Sequence, residues 1–154
     1  MSNVQVSTLS NNRTQLEDSI ILELAASLRG PIVRSEDAGY DRARAVYNGM
    51  IDKRPALIVR AADVADVMTT VNFARENDLL LAIRGGGHNG GGLGTCDDGV
   101  MLDLSLLKGI RVDPQARTVR VQGGCTQGEA DHVGSAFGLA VPAGIFSTTG
   151  IAGL

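Results

Sequence analysis

The sequence has few of the residues that define several large classes of protein. Tryptophan is absent and aromatic residues make up only 3% of the 154 residues, so any core must be aliphatic. No stretch approaches the roughly 20 apolar residues that a membrane-spanning helix needs, which argues against a membrane protein. Cys96 and Cys125 lie 29 positions apart, and such a pair fits neither a disulfide scaffold nor a zinc site.

Charge is not concentrated in either sign. Lys and Arg number 14 against 17 Asp and Glu, for a net charge of −3, and no basic cluster stands out. We therefore expect neither a nucleic-acid partner nor an acidic lipid surface. The polar N-terminus lacks a basic-then-apolar signal pattern, and two reduced cysteines are typical of the cytosol. A cytoplasmic protein is predicted.

Glycine, by contrast, is abundant and clustered. The chain has 20 glycines, well above the usual share of about 7%. Seven of the ten residues from Gly85 to Gly94 are glycine. Because glycine loses much backbone entropy in a helix or strand, this stretch is predicted to be a loop. Its free backbone N–H groups would form a concave nest for an anion, with His88 in the middle.

The first third of the chain is predicted to be mainly helical. Residues 1–13 are expected to be a flexible, frayed terminus. A capping box at Thr14–Glu17 is expected to open an amphipathic helix that ends at Gly30. A second short helix is expected around Asp41–Tyr47, and residues 14–54 together form a predicted N-terminal helical segment.

Residues 55–112 are predicted to form a small parallel subdomain. Apolar runs at Ala56–Val59 and Leu79–Ile83 flank a helix capped by Asp63, which is a βαβ pattern. A third strand is expected at Val100–Leu104. The glycine-rich loop would then leave the carboxyl end of a strand, where open α/β sheets bind ligands. The helix side chains predicted to face inward are Val64, Val67, Met68, Val71 and Ala74.

Residues 113–154 are predicted to begin a second, antiparallel subdomain. Apolar and polar residues alternate along Ile110–Asp113 and Thr118–Val121, as in an antiparallel hairpin with one solvent-exposed face. A capping box at Thr126 opens another helix, with Ala130, Val133, Ala136 and Phe137 inward and a stop at Gly138. A brief strand is expected at Leu139–Val141, followed by a second loop of small residues. The chain ends inside that loop, so we expect a truncated subdomain.

The glycine-rich loop also matches a dinucleotide fingerprint. Gly85, Gly87 and Gly90 have the GxGxxG spacing, and Asp103 lies where the ribose-binding acid should. That fingerprint must open a helix, which residues 91–95 cannot do. A P-loop is excluded as well, because no Gly-Lys-Ser/Thr follows. A phosphate-binding loop of another type is the interpretation that remains.

The two histidines receive different interpretations. His88 could be an ordinary loop histidine or a ligand contact, and the flanking glycines keep both possibilities open because they allow close approach of a ligand. His132 lies among polar neighbours on a helix and is expected to be solvated. In the second loop, Ser147, Thr148 and Thr149 could stabilise the loop or donate to a pyrophosphate.

The motif Arg84-Gly85-Gly86-Gly87-His88-Asn89 gives the chain a specific likeness. From about Asp41 onward, the chain resembles the FAD-linked oxidoreductases of the vanillyl-alcohol oxidase and p-cresol methylhydroxylase superfamily, in particular bacterial berberine-bridge-enzyme-like proteins. Further matching segments, in the same order and spacing, are Tyr47-Asn48, residues 54–56, 63–67, 73–74, 103–105, 121–124 and 147–154.

The resemblance implies an α+β FAD-binding domain in which a small parallel subdomain precedes a larger antiparallel one. It implies that the glycine-rich loop wraps the FAD pyrophosphate and that the second loop lines its other side. The implied cofactor-binding residues are Arg84, Gly85, Gly86, Gly87, His88, Asn89, Gly144, Ser147, Thr148, Thr149, Gly150 and Gly153. It further implies one covalent bond from His88 to the 8α-methyl group of the flavin. Members with two bonds carry a cysteine where this chain has Phe146.

The function implied by the resemblance is that of the N-terminal, FAD-binding part of an oxidoreductase. The full enzyme would take hydride from an alcohol, sugar or amine-type carbon of a small molecule and pass electrons to oxygen or another acceptor. Neither a catalytic residue nor a metal ligand is assigned, because the family's substrate domain is not in this sequence, and the piece alone is expected to be inactive. The alternatives are a non-catalytic remnant or self-associating module without flavin, and a nicotinamide-binding domain.

Overall fold

The computed structural model describes residues 3–10 and 12–153. The strands are β1 (Asn3–Ser7), β2 (Arg13–Glu17), β3 (Ile32–Val33), β4 (Leu57–Arg60), β5 (Leu81–Arg84), β6 (Val100–Asp103), β7 (Ile110–Asp113) and β8 (Thr118–Val121). The helices are α1 (Asp18–Ser27), α2 (Tyr40–Arg44), α3 (Val64–Glu76) and α4 (Gln127–Ser135), with a 3₁₀ turn at Ile151–Gly153. This mixture confirms the predicted α+β class.

The central four-stranded sheet has the order β3-β4-β6-β5. Strands β4 and β5 both run parallel to β6, and β3 pairs antiparallel with β4 at one edge. The predicted βαβ unit is therefore present, but β6 lies between its two strands. The register places Arg60, Asp103 and Arg84 side by side at the carboxyl edge of the sheet.

The core on both faces of this sheet is mainly aliphatic, as predicted. Leu57, Val59, Val100 and Leu102 are fully buried on the face that packs against α1 and α3. Ile58 and Met101 are fully buried on the other face, against Tyr40. Burying a side chain of this kind contributes about 1.5–3 kcal/mol, so these short strands depend on burial on both sides.

Helix α3 begins where the sequence predicts but buries a different face. The Asp63 carboxylate accepts a hydrogen bond from the Asp66 N–H at 3.1 Å, which caps the helix. The predicted inward stripe is wrong in part, because Val64 is 60% exposed and Met68 is 61% exposed. The buried residues are Asp66, Thr70 and Ala74, of which Ala74 belongs to the predicted stripe, and the predicted Val67 and Val71 pack at the edge of the core.

Asp66 faces inward because it accepts backbone hydrogen bonds. Its carboxylate accepts hydrogen bonds from the backbone N–H groups of Arg29 at 2.9 Å, Gly30 at 2.9 Å and Ala62 at 2.8 Å. Burial alone would raise the pKa of this carboxyl, but the backbone hydrogen bonds outweigh burial and lower it. A helix pattern that counts only apolar residues cannot identify such an inward-facing acid.

The N-terminal prediction is wrong in two respects. Residues 3–7, expected to be frayed, form strand β1, which pairs antiparallel with β2 and buries Val6 against the core. The expected capping box at Thr14–Glu17 lies within β2, so the helix begins only at Asp18. Pairing with β1 overrides the local helix signal. Met1, Ser2 and Asn11, which belong to the predicted flexible terminus, lie outside the described residues.

The C-terminal part contains the predicted hairpin. Strands β7 and β8 pair antiparallel, with Ile110 opposite Val121. Helix α4 follows its predicted capping box, since the Glu129 carboxylate accepts the Thr126 N–H at 2.7 Å. The boundary predicted at residue 112 falls inside β7, and the division of the chain into subdomains stays a prediction.

Two details after α4 differ from expectation. Ala136 and Phe137 lie beyond the helix and are exposed, with Phe137 51% exposed, because Gly138 turns the chain with a φ of +66°. Residues 139–141 do not form the predicted strand, since they have no ladder partner within the described part of the chain. Across residues 3–10 and 12–153, every helix is too short or too polar to cross a membrane.

Candidate functional site

The glycine-rich loop leaves β5 after Arg84 and continues without helix or strand until β6 begins at Val100. The absence of a helix over this described segment agrees with the rejection of the dinucleotide fingerprint. Within the described part of the chain, none of the seven backbone N–H groups of residues 85–91 has an acceptor. Successive free N–H groups in such a loop make a binding site for an anion.

The carbonyl groups of this loop are held by residues that precede β4. The Tyr47 N–H donates to the Gly87 carbonyl at 3.0 Å, and the Asn48 side chain donates to the Gly90 carbonyl at 3.1 Å. Lys53 Nζ donates to the Gly92 carbonyl at 3.0 Å. These loop carbonyls thus accept hydrogen bonds from the protein, while the N–H groups of residues 85–91 remain available to a ligand.

The second loop approaches the first at a point where both backbones lack a side chain. A Cβ atom on Gly86 would overlap the backbone nitrogen of Gly150, and a Cβ atom on Gly150 would overlap that of Gly86. Only glycine at both positions allows this approach. The two small-residue loops, far apart in sequence, therefore meet in the folded protein.

His88 is held from several directions between the two loops. Its Nε2 lies 3.0 Å from Thr148 Oγ1, and its Nδ1 lies 3.5 Å from Thr149 Oγ1. The Tyr47 ring stacks on the imidazole with centroids 4.0 Å apart and an interplanar angle of 19°. The Phe146 ring lies 6.4 Å away. The imidazole orientation is thus fixed by the protein alone.

A cavity of about 460 Å³ opens along the two loops, within the usual size of a small-molecule site. The predicted site residues that line it are Arg84, Gly85, Gly86, Gly87, His88, Asn89, Thr149, Gly150 and Gly153. Thr148 lies in a second recess of about 370 Å³ on the other side of His88. Gly144 and Ser147 line neither cavity; the Ser147 carbonyl accepts the Gly128 N–H at 2.8 Å instead.

Arg84 lines the cavity, but its guanidinium group is bonded to the protein. Nη2 lies 2.8 Å from the carboxylate of Asp103, and Nη1 donates to the carbonyls of Ala43 and Ala45. Burial would raise the pKa of the Asp103 carboxyl, but the charge and hydrogen bond of Arg84, with bonds from Ser105, outweigh burial and lower it. The guanidinium group of Arg84 therefore holds the start of the glycine-rich loop in place before any ligand binds.

Two residues of this arrangement were missed by sequence reasoning. The sequence patterns offer Asp103 as a ribose-binding acid and place Asp103 and Tyr47 in segments that match the family, but they do not predict the contacts with Arg84 and His88. Asp103 could have been found, because the carboxyl ends of parallel strands meet at one edge of a sheet. The position of Tyr47 over His88 depends on an irregular segment that no periodic pattern predicts.

The residues present fit a dinucleotide pyrophosphate. Residues 85–89, whose backbone N–H groups are free, line one cavity together with Thr149 and Gly150, and backbone N–H groups are the donors that a phosphate needs. The same donors would serve any small anion, so the identity of the ligand must come from elsewhere.

Comparison with known proteins supplies this identity. A family described as FAD binding domain matches residues 55–154. The chain is 34% identical to (R)-6-hydroxynicotine oxidase of Paenarthrobacter nicotinovorans over 128 residues, which cover 83% of this chain and 28% of the relative. It is 38% identical to an FAD-linked oxidoreductase of Dictyostelium discoideum over 136 residues, which cover 88% of this chain and 30% of the relative.

A solved structure shares the fold. BBE-like 1 of Physcomitrella patens superimposes with a TM-score of 0.79 at 27% identity, covering 86% of this chain and 29% of that one. The chain thus spans less than a third of the length of each of these relatives. By sequence and fold alike, the chain belongs to the FAD-binding domain family of FAD-linked oxidoreductases, in the p-cresol methylhydroxylase and vanillyl-alcohol oxidase superfamily.

Proposed function

We propose that the FAD of this domain is held through one covalent bond to His88, and that the whole enzyme uses it to oxidise a small molecule at an alcohol, sugar or amine-type carbon. The observation that supports the proposal most is the convergence of two loops on His88. The imidazole lies at the wall of the cavity, and both of its nitrogens face hydroxyl groups of the second loop.

The pyrophosphate would lie against the free N–H groups of residues 85–89, which line the cavity. Gly86 and Gly150 would bring the two backbones close enough for both loops to contact it, with Thr149 as a further donor. These dipoles are fixed before the ligand binds, so binding requires little reorganisation of the loop.

A single covalent bond is proposed because the second loop offers Phe146 in place of a thiol. Cys125 is fully buried, and its thiol donates to the Leu107 carbonyl at 3.5 Å. His88 would supply the nitrogen of this bond, and a C–N bond would replace one imidazole N–H and one C–H of the flavin 8α-methyl group. The two electrons and two protons released would pass to molecular oxygen and give hydrogen peroxide.

FAD, when bound, supplies two-electron redox chemistry: it accepts hydride from a substrate carbon and passes the electron pair to oxygen or another acceptor. The residues of this chain bind and orient the cofactor, and contacts to substrate would come from outside it. Neither a nucleic-acid nor a membrane partner is part of the proposal. A cytoplasmic location is included because both cysteines are free and buried.

Denaturing electrophoresis tests the covalent bond. The wild-type protein should give a band with flavin fluorescence that is lost in His88→Ala. His132→Ala is the matched control, because His132 is exposed and far from the site in sequence. Flavin that separates completely from the wild-type polypeptide on denaturation would overturn the proposal.

A second candidate function is association without flavin. Apolar side chains of the second loop, of the segment before β4 and of the glycine-rich loop are exposed: Ile145 is 93%, Met50 is 91% and Leu93 is 73% exposed. Such side chains favour contact with another copy of the chain. Light scattering on the purified chain distinguishes the two functions, since a stable colourless oligomer supports association and a yellow monomer contradicts it.

A further inference from the structure

We propose that Tyr47 is a positioning residue that fixes the plane of the His88 ring for attachment of the flavin. The inference rests on the proposed covalent role of His88. Its geometric part, that Tyr47 orients the His88 ring, does not depend on flavin. It starts from the stack between the two rings, whose centroids lie 4.0 Å apart at an angle of 19°. Stacked aromatic rings attract each other beyond what the burial of their area contributes.

The backbones that carry the two rings are bonded to each other. The Tyr47 N–H donates to the carbonyl of Gly87, the residue before His88, at 3.0 Å. On either side of Tyr47, Arg84 Nη1 donates to the Ala45 carbonyl at 2.7 Å, and Asn48 donates to the Gly90 carbonyl. Residues 45–48 are thus bonded to the glycine-rich loop at Gly87 and Gly90 and to Arg84, the residue that precedes the loop.

The exposure of Tyr47 indicates that core packing does not require an aromatic ring here. Tyr47 is 58% exposed, and its hydroxyl has no hydrogen-bond partner among the described residues. The aromatic face is the part of the side chain in contact with His88. A phenylalanine should therefore serve as well as the tyrosine, whereas an aliphatic residue should not.

The stack fixes the plane of the imidazole ring, which the contacts to Thr148 and Thr149 leave free to turn. Thr148 and Thr149 contact the imidazole at its edge, and the 3.5 Å contact to Thr149 is weak. The second side-chain torsion of histidine has broad minima, so an imidazole held only at its edge can turn. Bond formation requires the attacking nitrogen to be aligned within a near-attack geometry. Loss of the stack should slow attachment without preventing cofactor binding.

The geometric part can be tested on the full chain prepared without flavin. The protein has two histidines, so its imidazole proton resonances can be assigned by comparison with His132→Gln. In wild type, the His88 ring protons should be shifted upfield by the Tyr47 ring current, and those of His132 should not. The shift should disappear in Tyr47→Leu and persist in Tyr47→Phe. A wild-type spectrum without the shift would overturn the proposal.

The functional part is tested by adding FAD and following flavin that stays on the denatured polypeptide. Tyr47→Leu should attach flavin about tenfold more slowly, equivalent to ~1.4 kcal/mol, with unchanged affinity for unattached FAD. Tyr47→Phe should match wild type, as should Met50→Ala, a neighbouring side chain that is 91% exposed.

The outcomes separate the two proposals. If wild type attaches no flavin, the covalent role of His88 fails, and the ring-current experiment still decides whether Tyr47 orients His88. If wild type attaches flavin and Tyr47→Leu does so equally fast, Tyr47 is not a positioning residue. Equal slowing in Tyr47→Phe and Tyr47→Leu would assign the effect to the hydroxyl and overturn the stacking argument.

Discussion

Arg84 and Asp103 form a buried ion pair where the glycine-rich loop leaves the central sheet. Arg84 Nη2 lies 2.8 Å from Asp103 Oδ2, and the side chains are 11% and 0% exposed. Arg60 approaches the same carboxylate at 3.1 Å. Because Arg84 also donates to the Ala45 carbonyl, one buried carboxylate aligns the start of the loop with the segment that carries Tyr47.

Asp103→Asn should destabilise the protein strongly. The substitution keeps the shape of the side chain but leaves the guanidinium of Arg84 buried without its counter-charge. Breaking a buried pair in this way costs about 3–5 kcal/mol. Urea unfolding at neutral pH measures the loss. The matched control is Asp98→Asn, in a surface pair with Arg13 whose side chains are 41% and 58% exposed, where the loss should stay below about 1 kcal/mol. Equal losses in both variants would contradict the structural role of Asp103.

Stability should fall in acid. The pKa values of Asp66 and Asp103 are both lowered in the folded protein. Above the ordinary aspartate pKa of about 3.9, both carboxyls are ionised in either state and their stabilisation is complete. As pH falls below that value, the unfolded chain takes up protons first, and the free energy of unfolding decreases. Urea unfolding between pH 7 and pH 2.5 should show this decrease, and Asp103→Asn should make it shallower. A rise in stability over the same range would contradict the assignment.

Gly86→Ala should separate the two loops. Its Cβ atom would overlap the Gly150 backbone, which neither loop can relieve by rotating a side chain. Overpacking of this kind costs about 1–3 kcal/mol, and the cavity between the loops should lose FAD. Thermal unfolding and flavin titration measure the two effects. Gly90→Ala is the control on the same loop, because no atom lies within 4 Å of its Cβ position. Similar losses in both variants would indicate that loop flexibility, and not the contact, matters.

Neither cysteine should react in the folded protein. Burial raises the pKa of the Cys96 thiol to about 11, and it also raises that of Cys125. At pH 8 about one Cys96 thiol in a thousand would be ionised, and thiolate is the reactive form. A colorimetric disulfide reagent should therefore detect no thiol in native protein and two in denaturant. Rapid reaction of one thiol in the native protein would contradict this prediction and show that the cysteine becomes accessible to solvent.

The parts of the fold that sequence predicted correctly share a local cause. Helix α3 begins directly after Asp63 because the carboxylate of that residue caps it. The β7–β8 hairpin follows from the alternation of apolar and polar residues on both sides of a turn. The errors occur where a distant partner overrides the local signal. Thr14–Glu17 has the pattern of a capping box, yet pairing with β1 makes it a strand. Asp66 has the pattern of a surface residue, yet three backbone N–H groups from other segments hold it inside.

For the site, the sequence by itself determined that a glycine-rich loop with one histidine follows a strand and cannot form a helix, because glycine loses much backbone entropy in a helix or strand. It also predicted that a second loop of small residues could face the same ligand. Only the tertiary structure decided that Gly86 meets Gly150, that Arg84 is bonded to Asp103, and that Tyr47 covers one face of His88. These contacts join segments that are distant in sequence, and their geometry is set by strand order and loop packing, which no local pattern encodes.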